Sequence, residues 1–214
     1  VNINNLQIGV NDASDYSTTD TNADTSQESA DEVVESGYDP DNATAESLRY
    51  WAEQGDSLAK EDLGYALLFG EEDDDFGVPS IEKDVHEAAK WFEEAAKEGM
   101  MYSQKKFADM CYNGVGVQQN YQRAFKWYRK AAEQGYAIAQ NELGYCYQNG
   151  IGTEENEIEA AKWYRKAADQ GNAYAQDSLG DCYYYGRGVD VDYVEAVKWY
   201  RKAAEQEFSA AQYD

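Results

Sequence analysis

A tryptophan recurs every 36 residues through the C-terminal part of the chain. The four positions are Trp91, Trp127, Trp163 and Trp199. Each tryptophan is preceded by lysine, followed by an aromatic residue, and flanked by alanines at the same relative positions. A fixed period of about 20 to 50 residues is typical of proteins built from stacked, similar units. We therefore expect a repeat protein in which each unit packs against its neighbours.

Two helical patterns alternate within each unit. In the second, Ala, Trp, an aromatic residue and two further alanines follow helical spacing, which places them on one side of a helix. In the first, exemplified by residues 139–150, a small Gly144 is expected to allow close helix approach, and Gly150 is expected to end the helix. Short polar residues are expected to cap the second helices at Asp84, Asn120, Asn156 and Asp192. These patterns predict an all-α chain of antiparallel helix pairs.

The sequence Gly-Val-Gly-Val-x-x-Asn-Tyr-x-x-Ala-x-x-Trp-Tyr-x-Lys-Ala-Ala-Glu-Gln-Gly at 114–135 resembles the Sel-1-like repeat. This family is a tetratricopeptide-like α-solenoid, and the resemblance extends over about residues 44–214. It implies right-handed stacking of helix pairs with a concave face lined by the first helices. It also implies a scaffold or adaptor role, often outside the cytosol, without catalytic residues.

The phase of the repeat divides the chain into an arm and a solenoid. We expect residues 1–42 to form an acidic, largely unstructured or extended arm, and 43–214 to form the solenoid. The solenoid is expected to contain a half-unit at 43–56, repeats at 57–100, 101–136, 137–172 and 173–208, and a partial unit at 209–214.

The chain is strongly acidic, with a formal net charge of -24. Phosphate binding needs clustered Lys and Arg, so this charge argues against nucleic acid as a partner. The sequence contains no run of about 18 apolar residues, so we expect no membrane-spanning helix. The chain begins with Val1, as after removal of a leader or in a fragment, and the first of these predicts a secreted, extracellular or periplasmic protein. In that case the sequon at Asn42 is a glycosylation candidate.

No group of residues indicates a catalytic, cofactor or metal site. His86 is the only histidine, and no pattern of Cys, Ser or a second His accompanies it. The acidic run at 71–75 lacks the spaced ligands and central glycine of an EF-hand loop. The odd number of cysteines, Cys111, Cys146 and Cys182, argues against a disulfide framework and favours buried free thiols. We therefore expect a non-enzymatic protein without cofactor or metal.

The first helices carry polar and tyrosine side chains at positions off their packing stripe. These side chains recur at i, i+4 and i+7, so each helix presents them on one face. In a solenoid such a face lines the extended concave surface, and tyrosine with aspartate suits a basic or polar peptide. The alternative is a plain solvated groove. The predicted partner-binding residues are Lys105, Asp109, Tyr112, Asn141, Tyr145, Gln148, Asp177, Asp181 and Tyr184.

A second hypothesis makes the chain a structural subunit of an extracellular filament. Both ends of the repeat array resemble incomplete units, which would leave apolar helix sides uncovered. The arm begins with a short segment that alternates apolar and polar residues. A head-to-tail contact of this kind builds an open homopolymer. The predicted self-association residues are Val1, Ile3, Leu6, Ile8, Val10, Ala210 and Ala211.

Overall fold

The computed structural model describes residues 37–70 and 81–210, except for the side chains of Asn42 and residues 207–210. Apart from a 3-10 turn at Pro40–Asn42, this part of the chain consists of α-helices and contains no strand, so the predicted all-α class is confirmed. The helices are α1 (Ala45–Glu53), α2 (Ser57–Phe69), α3 (Val85–Lys97), α4 (Met101–Asn113), α5 (Tyr121–Glu133), α6 (Ala137–Asn149), α7 (Glu157–Asp169), α8 (Ala173–Tyr185) and α9 (Tyr193–Ala210).

The helices form a linear stack of pairs. The helices α2, α4, α6 and α8 each pack against the helix that follows, which completes a pair. The second helix of each of the first three pairs then packs against the first helix of the next pair. From α3 onward, the second helices begin 36 residues apart, at Val85, Tyr121, Glu157 and Tyr193. Each described pair therefore contacts mainly its neighbours in the sequence.

Local sequence explains where the helices begin and end. The predicted cap residues accept hydrogen bonds from backbone N–H groups two or three residues ahead, at 2.9–3.0 Å. They are Asp84, Asn120, Asn156 and Asp192. The helices α4, α6 and α8 each end at a glycine with a positive φ, which other residues adopt at a cost. These glycines are Gly114, Gly150 and Gly186.

The core of each pair depends on an aromatic ring that crosses a small residue. The ring of Tyr164 on α7 lies against Gly144 on α6, where an added Cβ would be 2.7 Å from Cδ1 of the ring. Tyr200 crosses Gly180 in the same way, with a corresponding distance of 2.6 Å to Cε1. Tyr164 is 1% exposed, so its ring has little room to move away. The predicted role of Gly144 in close approach is thereby confirmed.

Buried glutamines connect successive pairs. The Nε2 of Gln140 donates to the carbonyl of Ala132 at 3.1 Å, and its Oε1 accepts from Nε2 of Gln170 at 2.7 Å. The same arrangement recurs at Gln104 with Gln134 and at Gln176 with Gln206. Because a buried amide without partners is costly, these bonds fix the spacing of neighbouring helices.

The two ends of the solenoid have features that the middle pairs lack. At the N-terminal end, Tyr38 packs against the core and its hydroxyl donates to Asp62 Oδ2 at 2.6 Å, and residues 37–42 lie in the same compact unit as the helices. At the C-terminal end, Ser209 and Ala210 continue α9 and do not begin a new first helix. Glu207 stands where earlier second helices are followed by glycine, which removes the stop signal. Residues 1–36 and 211–214 lie outside the described residues.

We predict that Gly144→Ala destabilises the fold by about 1–3 kcal/mol, because the new methyl group would overlap the buried ring of Tyr164. Alanine is otherwise the better helix former, so helix propensity alone predicts the opposite sign. Urea unfolding measures the change. Gly64→Ala is the matched control, because its methyl group would meet the Phe92 ring at a more tolerable 3.2 Å. A Gly144→Ala variant as stable as the parent chain would contradict this account of the core.

Candidate partner-binding surface

The nine predicted partner-binding residues lie on α4, α6 and α8, three on each helix. We call the surface formed by these residues the first-helix face. Asp177 and Tyr184 are exposed, and the other seven are half-buried. The first-helix face is therefore partly built into the packing, and its exposed portion is concentrated on α8.

The residues on α4 are held by contacts within the surface. The Nζ of Lys105 lies 2.9 Å from Oδ2 of Asp109, one turn along the helix. The other oxygen of Asp109 accepts a hydrogen bond from the hydroxyl of Tyr128 at 2.7 Å. The ring of Tyr112 meets the ring of Tyr121 edge-on, with centroids 5.2 Å apart. These contacts orient the α4 side chains before any partner arrives.

Tyrosines of the second helices reach through the core to this surface. In addition to the bond from Tyr128, the hydroxyl of Tyr164 donates to Oε1 of Gln148 at 2.7 Å, and that of Tyr200 donates to Oδ1 of Asp181 at 2.6 Å. Burial raises the pKa of all three phenols, so each hydroxyl remains a donor at neutral pH. Sequence reasoning assigned these rings to the core alone. The signal in the sequence was the hydroxyl group: positions 128, 164 and 200 are tyrosine, whereas the equivalent residue of the first pair is Phe92.

A mostly buried carboxyl group, that of Glu142, lies beside the predicted residues of α4 and α6 and was missed by sequence reasoning. Burial is the main cause of the raised pKa of Glu142, and the negative charge of Asp109 adds to it, whereas Lys105 lowers it. The Nδ2 of Asn141 donates to Glu142 Oε1 at 3.4 Å, but Asn141 Oδ1 is buried without a hydrogen-bond partner. Lys105, Asp109, Asn141 and Glu142 are thus electrostatically linked between α4 and α6.

Helix α2 carries two further acids at positions equivalent to this surface, outside the predicted set. Glu61 is only 4% exposed and accepts hydrogen bonds from the backbone N–H and the hydroxyl of Ser103. Asp62 accepts from Tyr38. Burial raises the pKa of both carboxyl groups. On the adjoining side of α4, Lys106 Nζ lies 5.2 Å from the ring centroid of Tyr65, so it also has a partner within the fold.

The predicted self-association residues are mostly outside the described part of the chain. Val1, Ile3, Leu6, Ile8, Val10 and Ala211 fall there, and Ala210 lies in α9. Asn42 ends the 3-10 turn at Pro40–Asn42. The structure adds an apolar patch near the last pair that the prediction did not include. It consists of Val191, Tyr193, Val194 and Val197, which are 52–67% exposed.

The described residues offer no arrangement for metal binding, since no three His, Cys, Asp or Glu side chains lie suitably close within 37–70 and 81–210. The three cysteines are free and buried. Burial raises the pKa of Cys111 and Cys182 to about 11 and that of Cys146 to about 12, so these thiols are protonated and unreactive at neutral pH. None of the described helices is long and apolar enough to cross a membrane.

The family model described as the Sel1 repeat matches residues 57–100, 102–136, 137–172 and 173–208. The chain belongs to the Sel1 repeat family. Proteins with Sel1 repeats are generally non-enzymatic scaffolds for protein interactions. The comparison with curated protein sequences found no significant match.

Solved structures of other Sel1 repeat proteins resemble this one. A protective antigen present in uropathogenic Escherichia coli strains, which displays an SLR fold, is 40% identical with a TM-score of 0.70, and the match covers 77% of this chain and 34% of that one. A Sel1 repeat protein from Oxalobacter formigenes is 32% identical with a TM-score of 0.66, covering 75% of this chain and 61% of that one. The chain thus spans less than two thirds of the length of either protein.

We predict that Glu142→Gln stabilises the fold more at about pH 7 than at about pH 4, near the ordinary pKa of a glutamate. The pKa of Glu142 is raised in the folded chain, so the native state loses stability as the pH rises from the unfolded to the folded pKa. The amide of the Glu142→Gln variant does not ionise, so the variant does not lose this stability as the pH rises. Urea unfolding at both pH values measures the difference, and Glu154→Gln in an exposed loop is the control. An effect of equal size at both pH values would refute the explanation.

Proposed function

We propose that the first-helix face binds a basic peptide segment of a partner protein, with α8 as the main contact. The observation that carries the proposal is one stripe on α8, where Tyr174, Asp177, Asp181 and Tyr184 recur at helical spacing. Tyr174 is 75% exposed and Tyr184 is 48% exposed, so both rings are accessible to a partner. Exposed tyrosines flanking carboxylates suit a ligand that carries both charge and apolar surface.

The charges along the surface support a basic ligand. Helix α8 contains no Lys or Arg. The two lysines of α4 already have partners. Lys105 forms an ion pair with Asp109, and Lys106 lies over the ring of Tyr65. A basic segment laid along the face would therefore meet mainly carboxylates, and the strongly negative chain would speed its approach.

The preorganised side chains also favour binding. The hydroxyl of Tyr200 holds the carboxylate of Asp181, and the hydroxyl of Tyr164 holds the amide of Gln148. Both tyrosines are anchored by their rings on the glycines of the first helices. Side chains that are already fixed lose less conformational entropy when a ligand binds.

Peptide selection tests the proposal. Twelve-residue peptides from a random display library, selected on the full chain, are expected to be enriched in Lys and Arg. Their affinity, measured by fluorescence polarisation, should fall about tenfold in Asp177→Lys/Asp181→Lys and should weaken as salt is raised.

The matched control is Glu154→Lys/Glu155→Lys, which makes the same change in net charge on exposed loop residues. It should change the affinity far less, because these residues lie in the loop between α6 and α7 and are not part of the first-helix face. Equal losses in both double variants would mean that only the overall charge attracts the peptides. That result, or a selection without enriched peptides, would overturn the proposal.

A second candidate function is self-association into an extracellular filament, which one specific observation favours. Val197 is 55% exposed. At the equivalent positions of earlier pairs, Ala89 and Ala161 are 1% and 3% exposed, and Phe125 is half-buried. The Gly116 loop of the following pair covers Ala89. A further pair stacked on the last one would cover Val197 in the same way, and in this candidate function a second copy supplies that pair. The likeness to a protein described as a protective antigen supports a location outside the cytosol.

Sedimentation velocity over a concentration series tests this candidate. The average mass is expected to rise with concentration, and more steeply at higher salt, because salt screens the repulsion between copies with a net charge of -24. Val194→Glu/Val197→Glu should remain monomeric. Ile158→Glu is the matched control, since Ile158 is the exposed equivalent of Val194 one pair earlier. A parent chain that stays monomeric at high concentration and moderate salt would exclude the filament.

A further inference from the structure

The tryptophans of the last three second helices each lie under a lysine of the same helix. The Nζ atom of the lysine is 4.1 Å from the ring centroid in the pair Lys130–Trp127. The corresponding distances are 3.7 Å for Lys166–Trp163 and 3.8 Å for Lys202–Trp199. Residues three apart on a helix are neighbours, and an ammonium group over an indole face is a favourable cation–π contact. This fold therefore contains the same ammonium position three times.

The first complete pair has a different residue at this position. Glu94 on α3 stands where the other pairs have lysine. Its Oε2 lies 3.9 Å from Nζ of Lys60, which also forms an ion pair with Glu98. Lys60 and Glu98 occupy the positions of the paired glutamines in the later pairs. Because residue 94 is a glutamate, Trp91 lacks the intrahelical lysine that covers its three equivalents.

An open cavity of about 330 Å³ lies at this place. Its lining residues are Asp84, His86, Glu87, Lys90, Trp91 and Glu94. The indole of Trp91 is oriented by its Nε1, which donates to Glu87 Oε1 at 3.3 Å. Glu87 is itself held by Arg49, through contacts of 2.6 and 3.2 Å. The cavity therefore presents a fixed aromatic ring beside carboxylates.

We infer that this cavity binds an alkylammonium group, the lysine side chain of a partner protein, over the ring of Trp91. The partner's ammonium would take the position that Lys130, Lys166 and Lys202 fill in the later pairs. Three of the lining residues, Asp84, Glu87 and Glu94, are acidic, and Lys90 is basic. Arg49 pairs with Glu87, and Lys60 is shared between Glu94 and Glu98. The surroundings of the ring therefore keep a net negative charge. A volume near the lower end of ligand pockets suits one side chain and not a folded segment. The site lies on α3 and does not depend on the peptide proposed for the first-helix face.

NMR of the full chain with labelled indole groups tests the site. N-acetyl-lysine methylamide is titrated into the protein, and sodium chloride at matched ionic strength is titrated in parallel. The Trp91→Phe variant identifies the Trp91 resonance. We expect a saturable shift of that resonance with the lysine compound and none with the salt. Tetramethylammonium chloride is the third arm. Binding of tetramethylammonium alone would overturn the assignment to lysine, as would the absence of a saturable shift in the parent chain.

One exchanged residue makes the test specific. Glu94→Lys supplies the built-in cation, so it should weaken binding at least about fivefold, while Lys60 keeps its ion pair with Glu98. Undiminished binding to Glu94→Lys would refute the inference.

Discussion

The contact between an aromatic ring of each second helix and a small residue of the first helix determines much of this structure. At Gly144 there is no space for even a methyl group between α6 and the ring of Tyr164. The close approach buries the ring almost completely and sets the distance between the two helices of the pair. Because the same contact recurs at Gly180 and Tyr200, successive pairs adopt the same internal geometry. Regular pairs can then stack with the same contacts at each junction.

This core contact also shapes the surface on the opposite side of the first helices. A ring that crosses a glycine carries its hydroxyl beyond the helix, where Tyr164 and Tyr200 hold Gln148 and Asp181. A change in the core would therefore alter the side chains offered to a partner. Charges on the surface also act on the packing. The pKa of the mostly buried Glu142 depends both on its burial in α6 and on the charges of Asp109 and Lys105.

The first complete pair departs from the others through a connected set of substitutions. Lys60 and Glu98 replace two glutamines, and the buried Lys60 also attracts Glu94. A buried lysine needs such charge partners, whereas an amide needs only hydrogen bonds. The substitution at Glu94 in turn removes the lysine that covers the other tryptophans. The changed connection between pairs and the cavity beside Trp91 thus share one residue, Glu94.

The amino-acid sequence by itself determined the all-α class, the helix caps and the small residues of the core. Those features depend on spacing along one helix, as at Asn120 and Gly144, and such spacing is visible in the sequence. Only the tertiary structure decided that Asp109 has partners in both Lys105 and Tyr128, or that Glu142 is mostly buried. These facts depend on which side chains meet between helices. The phase of a repeat places residues on a face, but burial and pairing arise only when the neighbouring helices exclude water from it.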